Sequence, residues 1–249
     1  DRERKRAREI AQCTLLVVAG TSMQLLLALG VVVVLGLAAV FAYPLSTAGT
    51  WTFWALVTLP VIAVAVLGVW RMLRDGELKT LMRPVWGDFS RGFFGAAGLF
   101  VGAYLFVKVL APQGSARESW MARIYLQLGH PGVLRSHVFF VGLGVFLVAA
   151  AEEIVWRGLV TTLFAEKLGS RHAWIYAAFA YAAARLPTMW TLADPAAGLN
   201  PVLPLGALAA GLAFGAMARS FGRLPPVIVA HALFDWCLVM MFRLWGNSI

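Results

Sequence analysis

Glu152 and Glu153 stand side by side in the run Ala150-Ala151-Glu152-Glu153-Ile154-Val155-Trp156-Arg157-Gly158. Paired carboxylates in apolar surroundings are a setting for acid–base chemistry, because a dry pocket raises a carboxylate's pKa and lets it work as a base near neutral pH. The apolar run from about Val138 to Phe164 is long enough to cross a bilayer. Charge at membrane depth costs at least ~2.5–3.5 kcal/mol per residue, so these charges must be paired, protonated or used. On a helix, Glu153 and Arg157 share a face in the favourable order, with the glutamate N-terminal. Glu152 points about 100° away and has no partner on its own helix. The pair Glu153–Arg157 thus reads as a brace and Glu152 as the reagent.

Three more polar residues fall in later apolar runs: Arg185, His231 and Asp235. His231 and Asp235 are spaced to face the same way on a helix. Counted from the basic end of each run at ~1.5 Å per residue, Glu152 lies roughly 18 Å deep, Arg185 roughly 20 Å, and His231 and Asp235 roughly 9 and 15 Å. One cavity, open to the basic and hence cytoplasmic end, is expected to gather them. Plainer roles exist for each. His231 and Asp235 can brace helices as a mutual pair. Arg185, just before Leu186-Pro187, can snorkel to the interface. A purely structural role for both glutamates leaves one carboxylate unneutralised, since one arginine cannot serve two. Glu152, His231 and Asp235 are metal-ligand types, but no HExxH-like spacing supports a metal site. No pattern calls for a cofactor.

The elements that must carry these groups are membrane helices. The chain has 249 residues, of which 61% are hydrophobic and only 13% charged, about half the charge of a soluble domain. Apolar runs at about 10–43, 51–70, 93–110, 138–164, 173–186, 204–218 and 225–245 predict an all-α polytopic membrane bundle of about seven transmembrane helices, forming a single domain over 1–249. Pro60 predicts a kink in the second span, and Gly206, Gly211 and Gly215 a close approach in the sixth. The segment Ser119–Leu128 reads as an amphipathic helix lying on the surface, with Trp120, Ile124, Tyr125 and Leu128 on one side.

The net charge of +9 does not point to nucleic acid, because the basic residues sit between apolar runs and form no binding stripe. Their bias puts residues 1–9 in the cytoplasm as a basic lead-in touching anionic lipid. Cys13 and Cys237 both lie in apolar runs and read as buried structural thiols. No cleavable signal peptide is expected, because the first apolar run is too long.

The motifs Glu152-Glu153-x-x-x-Arg157, Tyr181-Ala-Ala-Ala-Arg185-Leu-Pro and His231-Ala-Leu-Phe-Asp235 resemble, in order and spacing, those of the CPBP family: the type II CAAX prenyl proteases and the bacterial Abi proteins. The resemblance covers roughly residues 140–245. It implies an intramembrane glutamic protease that cleaves near the C-terminal tail of a membrane-anchored or lipidated protein, in the inner (cytoplasmic) membrane of a bacterium. By resemblance Glu152 would activate water, while His231 and Asp235, an asparagine in many members, would stabilise the oxyanion. The family's second motif is FxxxH, and its positions here are Tyr181 and Arg185. Arginine accepts no proton. Near Glu152 it would also weaken that carboxylate as a base. Arg185 would instead polarise the scissile carbonyl, or mark a non-proteolytic relative that holds a membrane protein as chaperone, immunity factor or complex subunit. A transporter is disfavoured by the lack of matching broken helices in two halves.

Overall fold

A computed structural model describes residues 23–241. The basic lead-in 1–9, Cys13, the start of the first apolar run and the end of the last lie outside the described residues. The described chain is helical, its only extended pairing being the bridge between Asp194 and Gly198. Among the described residues, five helices are long and apolar enough to cross a membrane: α1 (Met23–Ala42), α2 (Trp51–Arg74), α4 (Asp88–Leu110), α7 (Val138–Leu168) and α10 (Val202–Phe221). The protein is an integral membrane protein. Between them come short helices α3 (Leu78–Leu81), α5 (Glu118–Leu128), α6 (Pro131–Ser136), α8 (Ala173–Arg185) and α9 (Thr188–Thr191). Helix α11 (Pro225–Trp236) continues into a wider π segment, Cys237–Met241. The expected fifth span is thus the 13-residue α8, only about 20 Å long against a hydrocarbon core of about 30 Å.

Local chemistry sets the helix ends. The Thr50 hydroxyl accepts from the Phe53 amide at 3.3 Å and caps α2. That helix runs on through Pro60 to Arg74 without interruption. Val61, Val64, Ala65, Gly68 and Met72 form its buried stripe, spaced to lie on one helical face. Asp88 opens α4 by accepting from the Val85 amide at 2.7 Å, and Arg223, from the α10–α11 turn, reaches the same carboxylate at 2.5 Å.

Close helix contacts fall where side chains are small. A Cβ on Gly211 would stand 3.1 Å from Ala178 of α8, and one on Gly215 would stand 3.1 Å from Trp174. Gly206 has nothing near it and faces a cavity instead. Helix α11 lies between α4 and α7.

Helix α5 does not lie out on a surface as its pattern suggests. Trp120, Met121 and Tyr125 are buried, and Ile124 and Leu128 pack inward with them. Polar tethers fix it there. Gln127 donates to the Tyr43 carbonyl at 3.1 Å, Asn200 to the Trp120 carbonyl at 3.0 Å, and Arg123 pairs with Asp194 at 3.0 Å. The amides of Ala196 and Ala197, with Arg123, hold the Asp194 carboxyl below its ordinary range. An apolar face on a short helix can be met by protein as well as by lipid, and only the tertiary partners decide.

The tight approach of α4 and α11 tests the packing. A Cβ on Gly92 would sit 2.5 Å from a Val229 methyl and 2.9 Å from the Pro226 carbonyl, so α4 and α11 would have to separate. Gly92→Ala is expected to destabilise the protein by about 1–3 kcal/mol. Gly98→Ala, which meets nothing within 4 Å, should leave the unfolding temperature in detergent unchanged.

Candidate functional site

The polar residues singled out by sequence come together. Glu152 and Glu153 end the regular part of α7, and the helix then widens into a π turn over Ile154–Val160. Such widened turns recur at functional sites. The Thr161 hydroxyl donates to the Trp156 carbonyl at 2.7 Å beside the distortion.

Glu153 is fully buried, with 0% exposure. Its Oε1 accepts from Arg157 Nη1 at 3.0 Å and meets His231 Nδ1 at 2.6 Å. Arg157 also donates to the Gly211 carbonyl at 3.2 Å, tying α7 to α10. It lies over the rings of Tyr181 and Phe214, at 5.5 and 5.2 Å. His231 stacks on Phe214 with ring centroids 4.6 Å apart. A carboxylate only accepts hydrogen bonds, so Nδ1 of His231 carries hydrogen toward Glu153. Nε2 is then aimed at the other two carboxylates, 3.8 Å from Glu152 and 3.4 Å from Asp235.

Glu152 finds its partners on α8. Tyr181 donates to Oε2 at 2.7 Å, and Arg185 pairs with Oε1. Both come from the motif whose family counterpart is FxxxH, and they lie one helical turn apart on one face. Arg185 does not snorkel away; its guanidinium lies 5.6 Å from the Tyr181 ring and closes on Glu152. Tyr181 is a site residue that sequence reasoning did not weigh as one. Its phenol would have been visible only as a substitution for a phenylalanine that has no donor. Tyr43, at the end of α1, lines the same space and was likewise not singled out. Among the described residues, no group of three or more His, Cys, Asp and Glu is disposed to hold a metal ion.

The cluster borders a cavity of about 1890 Å³. Its walls are apolar and come from α2, α4, α5, α7, α10 and α11; Glu152, Tyr181, Arg185, His231 and Asp235 line it. The side chain of Glu152 is 7% exposed and that of Arg157 3%, whereas Arg185 is 20% exposed and Asp235 32%. Arg185 and Asp235 are therefore the charges most open to an occupant. The cavity's lining includes the connection 44–50, α5 and α6, with Thr50, Trp51, Val133 and His137 exposed, and extends to Phe94, Gly95 and Met217 toward the other end. No residue of the basic turns at 75–87, 169–172 or 222–224 lines it.

The inner brace is testable. Arg157→Ala leaves Glu153 with His231 alone in a dry site. Removing one partner of a buried pair costs about 3–5 kcal/mol, so the unfolding temperature in detergent should fall sharply. An unchanged value would count against the brace.

Comparison with known proteins agrees with the motifs. Residues 134–237 match the family model described as type II CAAX prenyl endopeptidase Rce1-like. No curated protein and no solved structure matches the chain. The matched segment holds Glu152, Glu153, Arg157, Arg185, His231 and Asp235. Such proteins are typically peptidases embedded in the bilayer, acting on membrane-associated substrates. Over residues 134–237 the chain resembles the CPBP/CAAX protease family of membrane endopeptidases.

Proposed function

We propose that the protein is an intramembrane glutamic endopeptidase that cleaves near the C-terminal tail of a membrane-anchored or lipidated protein. The observation that carries this reading is the meeting of Glu152, Tyr181, Arg185, His231 and Asp235 at the polar end of a large apolar cavity. An apolar substrate segment fills the cavity and excludes water, which strengthens each electrostatic contact at the polar end.

In this reading Glu152 takes a proton from a water as its oxygen attacks the scissile carbonyl. Arg185 swings from Glu152 toward that carbonyl and stabilises the oxyanion, a contribution worth several kcal/mol for a fixed donor. Tyr181 keeps Glu152 in place during the exchange. As the tetrahedral intermediate collapses, the C–N bond breaks and the proton passes to the leaving amine. His231, between Glu152 and Asp235, is placed to relay that proton or to add a donor to the oxyanion. An ionised Asp235 cannot donate as an asparagine would; its part is to orient His231. Glu153 and Arg157 hold His231 from behind and touch no substrate.

A second reading is a non-proteolytic relative that holds a membrane protein in the same cavity. It is favoured by the engagement of both Glu152 oxygens by Tyr181 and Arg185, which leaves the base occupied at rest.

Processing of a co-purified membrane partner in vesicles, read as C-terminal mass, separates the two readings. Under the protease reading Glu152→Gln should lower processing by roughly 10²–10⁴-fold, the usual worth of a general base. If Arg185 polarises the carbonyl, Arg185→Lys should keep part of the rate and Arg185→His should lose more. If a second base is what the site lacks, Arg185→His should instead keep or raise the rate. Full processing by Glu152→Gln would sink the protease reading. Partner retention that weakens in Arg185→Ala, with no processing by any variant, would establish the second.

A further inference from the structure

Beside the large cavity lies a second, small one of about 20 Å³. Its walls come from α1, α2, α7 and α8, and four of its residues carry polar groups: Tyr43, Glu152, Trp156 and Arg185. Tyr43, Val57, Glu152 and Arg185 line both cavities, whereas Trp156, Val61 and Ala184 line only the small one. Glu152 and Arg185 thus stand on the partition between an apolar chamber and a pocket with polar walls. Trp156 supplies an independent observation. It is 1% exposed, and its ring packs on Tyr181 with centroids 5.1 Å apart. Its Nε1 is buried and has no hydrogen-bond partner among the described residues. A buried N–H without a partner is costly, and a buried indole usually finds one.

We infer that the small cavity binds one water, which accepts from Trp156 Nε1 and donates to the Glu152 carboxylate, and that this water supplies the hydrolytic step. A water needs about 10–15 Å³ and roughly two to four polar partners, and the cavity meets both requirements. Glu152 has room for it. Its Oε2 already accepts from Tyr181 and its Oε1 from Arg185, but each carboxylate oxygen has a second lone pair. The Tyr43 hydroxyl oxygen takes the other water proton. The role rests on the peptidase reading; the site does not. An apolar segment in the large cavity excludes bulk water, yet hydrolysis consumes one water for each bond cut. A water held on the far side of Glu152 escapes that exclusion. When Arg185 parts from Glu152, the partition opens, because these two residues border both cavities. The water then gives one proton to Glu152 as its oxygen bonds the scissile carbonyl carbon. That proton leaves with the amine when the C–N bond breaks. Tyr43 and the walls from α1 and α2 lie outside the matched residues 134–237, so the N-terminal helices contribute to the site directly.

A structure of the full chain at a resolution that shows ordered water tests the site. One water is expected within hydrogen-bond distance of both Trp156 Nε1 and a Glu152 oxygen. No water there, a side chain or lipid methyl filling the cavity, or an indole bonded to protein instead would overturn the site. The role is read in the vesicle assay with Trp156→Phe, which keeps a ring and removes the N–H. Trp156 does not line the large cavity, so partner retention should stay unchanged. The processing rate should fall roughly three- to tenfold, the worth of one hydrogen bond. An unchanged rate, or a loss confined to retention, would overturn the supply role. Should Trp156→Phe fold poorly, Tyr43→Phe makes the same measurement. Its carbonyl still accepts from Gln127, and its ring still meets Phe53 edge-on, at 5.4 Å. Water at the site together with full processing by Glu152→Gln sinks the peptidase reading and leaves the site standing. No water, with processing lost in Glu152→Gln, does the reverse.

Discussion

A carboxylate buried in an apolar bundle is tolerated only with a partner, and Glu153 supplies this structure with its central constraint. One of its oxygens receives both Arg157 and His231. Through Arg157 the contact extends to the Gly211 carbonyl on α10, and through His231 it fixes α11. Three helices are thereby keyed to one buried charge. Van der Waals packing between apolar helices in lipid has no such registry, because lipid chains are as apolar as the helices themselves.

The second glutamate is treated differently. Glu152 is held from α8 by one neutral donor and one cation, and it faces a cavity rather than a closed core. The adjacent carboxylates thus have opposite jobs because adjacent positions on a helix point about 100° apart. Glu153 looks into the three-helix junction, and Glu152 looks at whatever fills the cavity. The cation on Glu152 makes the resting site nearly self-satisfied. Under the peptidase proposal, the reaction begins by parting Glu152 from Arg185.

Much of this was legible in the sequence, for stated reasons. Long apolar runs give spans, and the i, i+4 spacing gives the Glu153–Arg157 pair, because both follow from helix geometry alone. The convergence of Arg185, His231 and Asp235 on Glu152 was foreseeable because unpaired charge in lipid is costly. Two features were not legible. The inward turn of α5 depends on Tyr43, Gly198 and Asn200, far away in sequence. The hydrogen bond from Tyr181 depends on a phenol at a position where the resemblance implied a plain ring.

The π turn after Glu153 has a consequence for how the chain can vary. A regular helix couples its two halves rigidly: rotating one face toward a partner rotates every other face with it. The widened turn at Ile154–Val160 adds a phase offset between them. The upstream half of α7 can aim Val141, Val145 and Val148 at the cavity, while the downstream half presents its own face to α2 and α8. The two halves behave as separately tunable modules joined by a swivel of fixed setting. Changes that reshape the cavity wall need not disturb the anchoring face beyond the swivel, and the reverse holds too.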